Sequence, residues 1–291
     1  GRVEMLQPRG ERPDLDVGFM LQPPGDPDAP RRRLWPRNGE PPAAAPSSGR
    51  IQNSDRTVGA DLRSGQHRAY RGSAGQSFGA FLDRDVELEL EGEANDYVGK
   101  GMGGGVVAIR SFAADASVDP VLAGNTCLYG ATGGRLFLAG RAGERFGVRN
   151  SGATAVLEGA GDHFCEYMTG GLVVALGPVG WNVGAGMTGG VAYVREWAQH
   201  NPDSVAVRPV PAADLPALLA LVQEHHQRTG SVRAAALLAD WEKTVAGFKQ
   251  VVPLPAAVSI PAQPAGGAAA SGEPAVTRQP NGAPAQAARP A

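Results

Sequence analysis

Five residue pairs ending in glycine, each followed by a short apolar run, recur along the middle of the chain at a nearly constant interval. Gly104-Gly105 precedes VVAI, Gly133-Gly134 precedes RLFLAG, Ser151-Gly152 precedes ATAVLEG, Gly170-Gly171 precedes LVVALG, and Gly189-Gly190 precedes VAYVRE. The second members, at 105, 134, 152, 171 and 190, stand 29, 18, 19 and 19 residues apart. The long interval contains SFAADASVDP, residues 111–120, which reads as a surface insertion of about ten residues and leaves a period of about 19 throughout. A unit of that length holds one or two short strands and their corners and cannot bury an apolar face alone. Units stacked at about 4.8 Å with apolar side chains inward can. Glycine belongs at the corners, where φ is positive or one backbone lies close over the next. The pattern predicts an all-β solenoid over residues 51–200.

One stretch offers a competing use for glycine. In DYVGKGMGGGVVAI, Gly99, Gly101 and Gly104 spell the G-x-G-x-x-G of a dinucleotide-binding turn. That fingerprint needs a helix after it, because the pyrophosphate sits on the first helical amides. Here three consecutive glycines run into the β-branched Val106-Val107-Ala108-Ile109, which reads as turn then strand. Lys100 invites a phosphate reading too, but no Ser or Thr follows it and no helix opens there.

Glycine and proline divide the 291 residues into three regimes. Residues 71–194 hold 27 of the 41 glycines and only Pro120 and Pro178 of the 24 prolines. Residues 1–50, with PPGDPDAPRRRLWPRNGEPPAAAPSSG, read as a proline-rich linker, and 253–291 as a disordered Ala/Pro/Gly tail, since neither buries enough apolar surface to offset ordering. A net charge of -2 gives no electrostatic footprint for nucleic acid, and Arg31-Arg32-Arg33 reads as a solvated spacer. No apolar run approaches the roughly 20 residues of a membrane span, and no signal segment opens the chain. Two cysteines, Cys127 and Cys165, are too few for a disulfide framework or a four-cysteine zinc site. The chain reads as soluble and cytoplasmic, and its start at Gly1 reads as an internal piece of a longer product.

Beyond the repeats the period changes. Leu215, Leu218, Leu219 and Val222 follow i, i+3, i+4, i+7 behind Asp214 and Pro216, predicting an amphipathic helix that ends at Gly230. Ala234, Leu238, Trp241, Val245 and Phe248, behind Ser231 as N-cap, predict a second. The expected unit is a helical hairpin over 205–252 lying against the solenoid or a neighbouring domain, anchored by Trp241 and Phe248. His225-His226 read as surface residues.

The most reactive-looking spot is GDHFCEYMTGG, where Asp162, His163, Cys165 and Glu166 crowd together. One reading makes Cys165 a nucleophile with His163 as base. The other is a coil corner, with Asp162 and His163 bonding backbone amides and Cys165 and Tyr167 packing inward. A metal site from Asp162, His163 and Cys165 lacks a fourth ligand. Asn95 and Asp96 read as turn formers that satisfy their own backbone, and Arg145 and Arg149-Asn150-Ser151 as polar ladders on the surface. No constellation supplies nucleophile, base and oxyanion donor together, so no catalytic, cofactor-binding or metal residue is assigned.

At GSAGQSFGAFL (72–82), NDYVGKGMGGG (95–105), CLYGATGG (127–134), GERFGVRNSGATAVLEG (143–159) and GDHFCEYMTGG (161–171), the chain closely resembles the C-terminal GXGXG domain of the glutamate synthase large (alpha) subunit. IQNSDRTVGADL (51–62) and RTGSVRAAALLADWEK (228–243) are similar to that family's entry and exit segments, and GRVEML to the stretch just beyond its FMN-binding synthase barrel. The resemblance covers 51–252 well and 1–50 loosely. It implies a single-stranded right-handed β-helix that carries no catalytic group and packs against the amidotransferase and FMN-barrel domains of the same enzyme, with the small subunit as a further candidate partner. It also implies that FMN and a 3Fe-4S cluster belong to the missing synthase domain and not to this chain. The family's activity moves the glutamine amide nitrogen to 2-oxoglutarate, making two glutamates with a reduced nicotinamide or ferredoxin. ADLRSGQHRAYR, residues 60–71, replaces a longer family connection, and the resemblance therefore leaves one edge coil incomplete. A free-standing GXGXG binding subunit of another oxidoreductase, such as a formylmethanofuran dehydrogenase-like complex, is the alternative.

Overall fold

The structure is a computed structural model that describes residues 49–112 and 119–255. Eight strands stack in parallel in the order β1 (Gly49–Ile51), β2 (His67–Ala74), β3 (Glu87–Ala94), β4 (Gly103–Arg110), β6 (Gly133–Ala142), β7 (Ser151–Gly159), β8 (Thr169–Val179) and β9 (Gly189–Trp197). Successive register partners run from His67 to Glu87, Val106, Arg135, Thr154, Leu172 and Val191, steps of 20, 19, 29, 19, 18 and 19 residues. Each step is one coil of a parallel β-solenoid. The long step leaves the ladder after Arg110 and rejoins it at β5 (Val121–Ala123), where Ala123 pairs with Ala94 on one side and Ala142 on the other. The insertion expected at 111–120 therefore begins and ends where the spacing placed it, and its middle, 113–118, lies outside the described residues. So do 1–48 and 256–291, which hold the expected linker and tail, although Gly49 and Arg50 already belong to β1.

The short 60–71 connection does not leave a coil incomplete. β2 pairs with β3 over all eight residues, while the Thr57 amide donates to Gln76 O and the Gly65 amide to Asp85 O, each at 2.9 Å. The coil closes because the following corner supplies acceptors at matching positions.

The corners are built on an alternation that glycine spacing only partly reveals. Positive φ falls on every second residue, at 77/79/81, 97/99/101, 126/128/130, 145/147/149, 163/165/167 and 182/184/186. Eleven of these eighteen are not glycine, Leu128, Cys165 and Tyr167 among them, so the expectation that only glycine occupies such corners is corrected. A left-handed non-glycine residue costs about 1–2 kcal/mol. The alternation offsets this by turning successive amides toward opposite neighbouring coils. The Ser77 amide donates forward to Asp96 O and that of Phe81 to Lys100 O, while the Gly79 amide between them donates back to Val58 O. Glycine is required instead where backbones touch. A Cβ on Gly133 would lie 2.6 Å from the carbonyl oxygen of Gly103 in the preceding coil.

Two apolar layers result. The inner one fills the coils with Phe78, Leu88, Ile109, Leu136, Phe146 and Phe164. Where one strand face meets water the sequence alternates, as in β3 (ELELEGEA), whose leucines are buried between partly exposed glutamates. Where both faces are covered the run is nearly continuous, as in β8, because Phe137, Val156, Val174 and Tyr193 on the outer face pack under helices.

Those helices are α1 (Leu215–Thr229), ending at Gly230 with φ +69°, and α2 (Val232–Ala239), whose cap Ser231 accepts from the Ala234 amide at 2.9 Å. The second helix does not continue to Phe248. Asp240, at φ -138° and ψ 59°, breaks it; α3 (Trp241–Thr244) and a 3-10 turn follow, and Phe248 is extended. Residues expected inside the hairpin are strands at both ends: β10 (Val205–Pro209) and β11 (Lys249–Pro253). β11 lies antiparallel between β9 and β10. The edge of the last coil would otherwise present unpaired backbone groups, and this returning strand satisfies them. Phe248 is buried as an anchor, with Trp241 partly buried beside it at 6.1 Å between ring centroids.

Candidate functional site

The glycine fingerprint is a corner leading into a strand. Gly99 (φ +66°) and Gly101 (φ +61°) occupy left-handed positions, and Gly104 lies inside β4. Lys100 does not face an anion cradle; its ammonium sits 5.4 Å from the centroid of the Tyr97 ring. Gly104 and Gly105 line an open groove of about 780 Å³, together with Arg84, Asp85, Glu87 and Arg135. Its charges are of both signs, and two are tied to α1: Arg135 donates to both carboxylate oxygens of Glu224 at 2.6 and 2.8 Å, and Glu87 pairs with Arg228 at 3.6 Å. The groove's charges are therefore mixed and partly paired with α1, unlike the basic cradle of a phosphate site.

The GDHFCEY corner separates its reactive-looking residues. The Asp162 carboxylate accepts from the Trp181 amide of the next coil at 2.8 Å, as expected of a corner residue. His163 bonds the Asn182 side chain at 3.1 Å rather than a backbone amide, and its Nδ1 lies 3.9 Å from Glu166. Cys165 is fully buried, and burial pushes its thiol far above the ordinary range; Cys127, also buried, is pushed up to about 12. Neither is a thiolate at neutral pH. Tyr167, expected inward, is 52% exposed, its ring lying over Gly186 of the next coil.

Two further residues, Asn150 and Asp96, stand differently from their sequence reading, while Asn95 and Arg145 stand as read. Asn150 is not a surface ladder but fully buried, donating to Ala153 O at 2.9 Å and accepting from the Ala153 amide at 2.9 Å. Asn95 does accept from its neighbour's amide, that of Asp96, at 2.7 Å, whereas Asp96 accepts from Asn125 in the next coil at 2.7 Å. Arg145 lies at the surface, 3.6 Å from Glu166.

The largest departure is His225. Expected at the surface, it is fully buried, because it continues the stripe Leu218, Val222, His225, Thr229 that α1 presses against the solenoid. That stripe was legible in the spacing, and the adjacent His226 obscured it. His225 Nε2 stands 3.8 Å from Glu158 Oε1, beyond hydrogen-bond reach, and neither ring nitrogen has a hydrogen-bond partner. Burial lowers the His225 pKa, outweighing the Glu158 carboxylate, which opposes the shift. Burial pushes Glu158 upward, but His225, the Ser231 hydroxyl and the Arg233 guanidinium outweigh it, and its pKa is lowered. The Ser231 hydroxyl donates to Glu158 while capping α2, and Arg233 reaches Glu158 at 3.8 Å and Asp119 at 3.2 Å. This polar knot fastens the helices to the wall. Its hydroxyl, carboxylate and imidazole are all buried, and the Ser231 hydroxyl is committed to Glu158.

Among the described residues no group of three or more His, Cys, Asp or Glu side chains is placed to hold a metal ion. Two cysteines buried two coils apart in the core do not fit an iron–sulfur cluster, which needs three or more accessible thiolates. Among the described residues, no helix is long and apolar enough to cross a membrane.

A coil stack with glycine-lined corners, closed by a returning strand and carrying two helices on one face, invites comparison with known proteins. The GXGXG motif family matches residues 43–254. The chain belongs to this GXGXG family. It is 49% identical over 225 residues to ferredoxin-dependent glutamate synthase 2 of Synechocystis, covering 70% of this chain and 14% of that protein. It is 51% identical over 192 residues to the chloroplastic ferredoxin-dependent glutamate synthase 2 of Arabidopsis thaliana (63% and 12%) and 45% identical over 229 residues to the NADH glutamate synthase of Schizosaccharomyces pombe (70% and 11%). The chain thus spans about one seventh of the length of the relatives it matches. A formyltransferase/hydrolase complex from Methylorubrum extorquens, solved with methylofuran, aligns at TM-score 0.40 and 22% identity over 59% of this chain and 69% of its own. That likeness is too low to bear on fold or function.

Proposed function

We propose that this chain is a non-catalytic docking domain of a glutamate synthase, a rigid wall against which the amidotransferase and FMN-barrel domains pack while glutamine and 2-oxoglutarate become two glutamates. The observation that carries this reading is near-half identity to glutamate synthases over 70% of the chain, in a stretch that makes up only 14% of the relative. The site geometry supports it: the buried cysteines, the corner that parts His163 from Cys165 and the polar knot at Glu158 all serve the fold. FMN and a 3Fe-4S cluster then belong to the synthase domain, and the setting is cytoplasmic. The test is recovery of the chain from its native cells. It is expected to co-purify with, or be continuous with, a polypeptide bearing the amidotransferase and the flavin, and by itself to form no glutamate from glutamine, 2-oxoglutarate and reduced ferredoxin. Turnover by the chain alone, or recovery solely with unrelated oxidoreductase subunits, overturns the reading.

A further inference from the structure

The helices cover one strand face of the solenoid, but one corner ridge stays open and presents aromatic and cationic side chains in turn. Its corners, 77–81, 97–101, 126–130, 145–149, 163–167 and 182–186, lie in consecutive coils, because the amides of Phe81, Gly101, Thr126, Arg149 and Tyr167 each donate to the coil that follows. Phe81, Tyr129 and Tyr167, in the first, third and fifth, are 61, 37 and 52% exposed, and Trp181, which opens the last, is 58% exposed. Lys100 stands in the second and Arg149 in the fourth, 5.4 and 6.0 Å from the centroids of the Tyr97 and Tyr167 rings. Neither has a carboxylate partner among the described residues. Three carboxylates of the ridge are engaged elsewhere: Asp96 and Asp162 accept the amides of Asn125 and Trp181, and Glu166 faces Arg145 at 3.6 Å.

At roughly 200 Å² for a whole aromatic side chain, the exposed parts of Phe81, Tyr97, Tyr129, Tyr167 and Trp181 amount to about 500 Å². A patch of that size marks a contact surface. Two such ridges face to face would bury about 1,000 Å² of aromatic surface before cations and corner backbone are added, the lower limit of a specific interface. Two of the rings are already held in place. The Phe81 ring covers Gly101, where a Cβ would stand 2.7 Å from it, and the Tyr167 ring covers Gly186, so docking orders them at little further cost.

The order of rings and cations selects how two ridges can meet. Ridges running in the same direction would set Lys100 on Lys100 and Arg149 on Arg149. Antiparallel ridges centred on the Tyr129 coil would set Lys100 against Arg149. Centred instead between the coils of Tyr129 and Arg149, antiparallel ridges engage all the corners with no cation opposite a cation. Tyr129 then meets the second copy's Arg149, Lys100 meets its Tyr167, and Phe81 meets the last coil, where Trp181 is exposed. A two-fold axis makes each contact twice, over five coil spacings or about 24 Å. A cation over an aromatic face is favourable, whereas like charges in contact oppose association.

We propose that two copies of this chain associate through their corner ridges, antiparallel about a two-fold axis between the coils of Tyr129 and Arg149. The contact uses residues of the solenoid alone and does not rest on the synthase reading.

The test is sedimentation equilibrium of the full 291-residue chain. A monomer–dimer equilibrium is expected, with Kd on the order of 10–100 µM for a contact at the lower limit of area. Tyr129→Arg sets an arginine against the second copy's Arg149 and is expected to raise Kd at least about tenfold. Adding Arg149→Tyr to the same chain re-forms the ring–cation pair and should return Kd to within about threefold of its starting value. Because the pair lies across the interface, Tyr129→Arg chains mixed with Arg149→Tyr chains should recover association as well. The outer pair supplies a second, separate exchange: Tyr167→Lys is expected to weaken the dimer and Lys100→Tyr with Tyr167→Lys to restore it. Unchanged circular dichroism and urea midpoints show that each variant folds, and should Tyr129→Arg fail this, the outer pair decides. A chain monomeric up to about 500 µM, well above the expected Kd, overturns the proposal. So does a dimer indifferent to Tyr129→Arg and Tyr167→Lys, or a loss that neither exchange reverses.

Discussion

Replacing two glycines by alanine separates the backbone-contact role of glycine from its conformational role. Gly133 lies where coils touch: an alanine Cβ there would fall 2.6 Å from Gly103 O and 3.2 Å from the Gly103 carbonyl carbon. Both partners are backbone, so relief requires the coils to part locally. The Thr132 and Gly133 amides, which donate to Met102 O at 2.9 and 3.3 Å, are the first bonds stretched. Overpacking of this kind costs about 1–3 kcal/mol, and one weakened hydrogen bond adds about 1 kcal/mol. Gly130→Ala meets nothing within 4 Å, and its penalty is the left-handed φ of +64°, about 1–2 kcal/mol. The smaller entropy of the unfolded alanine chain returns about 0.4–1 kcal/mol of that. The same entropy return applies at Gly133, so Gly133→Ala is expected to destabilise by about 1–3.5 kcal/mol and Gly130→Ala by at most about 1.5 kcal/mol. Urea unfolding of the full chain, followed by circular dichroism with the slope checked for constancy, measures both. Equal losses at the two positions would refute the idea that close backbone stacking, rather than positive φ, makes glycine necessary at the strand starts.

Acid should loosen the helices from the wall. The buried His225 has a lowered pKa, so the unfolded chain binds its proton more readily; the stability it contributes is complete above about pH 6.5 and declines as pH falls toward the folded value. Glu158, also lowered, acts in the same direction below about pH 4.5. His225→Phe, beside the Phe137 ring, is expected to abolish the loss of urea midpoint between pH 7 and 5, and an unchanged loss would exclude His225 as its source. Alkylation is the third test: with both thiols buried and their pKa values pushed up, neither cysteine is expected to react with iodoacetamide at pH 8 until the chain is unfolded, and rapid labelling of native Cys165 would revive the nucleophile reading.

Much of the solenoid was legible because its determinants are local. The period of about 19 appears directly as register steps, and the 111–120 excursion as a gap in that period. The absence of a helix after Gly105 could be read from the β-branched run that became β4. The cap at Ser231 and the stop at Gly230 were equally local signals. The corner alternation was only half visible, since Leu128, Cys165 and Tyr167 adopt positive φ without any glycine signature.

What the chain alone determined is the repeat: strand, corner and strand recur because side-chain size and backbone freedom act within a few residues of one another. Tertiary structure decided the rest. Lys249–Pro253 became a strand because the edge of β9 lacked a partner. His225 went inside because α1 lies over Phe137, and Glu158 became a fastening because α2 begins above it. Those choices depend on residues tens of positions apart meeting in space, where unpaired backbone and unburied apolar faces impose costs that no local pattern records.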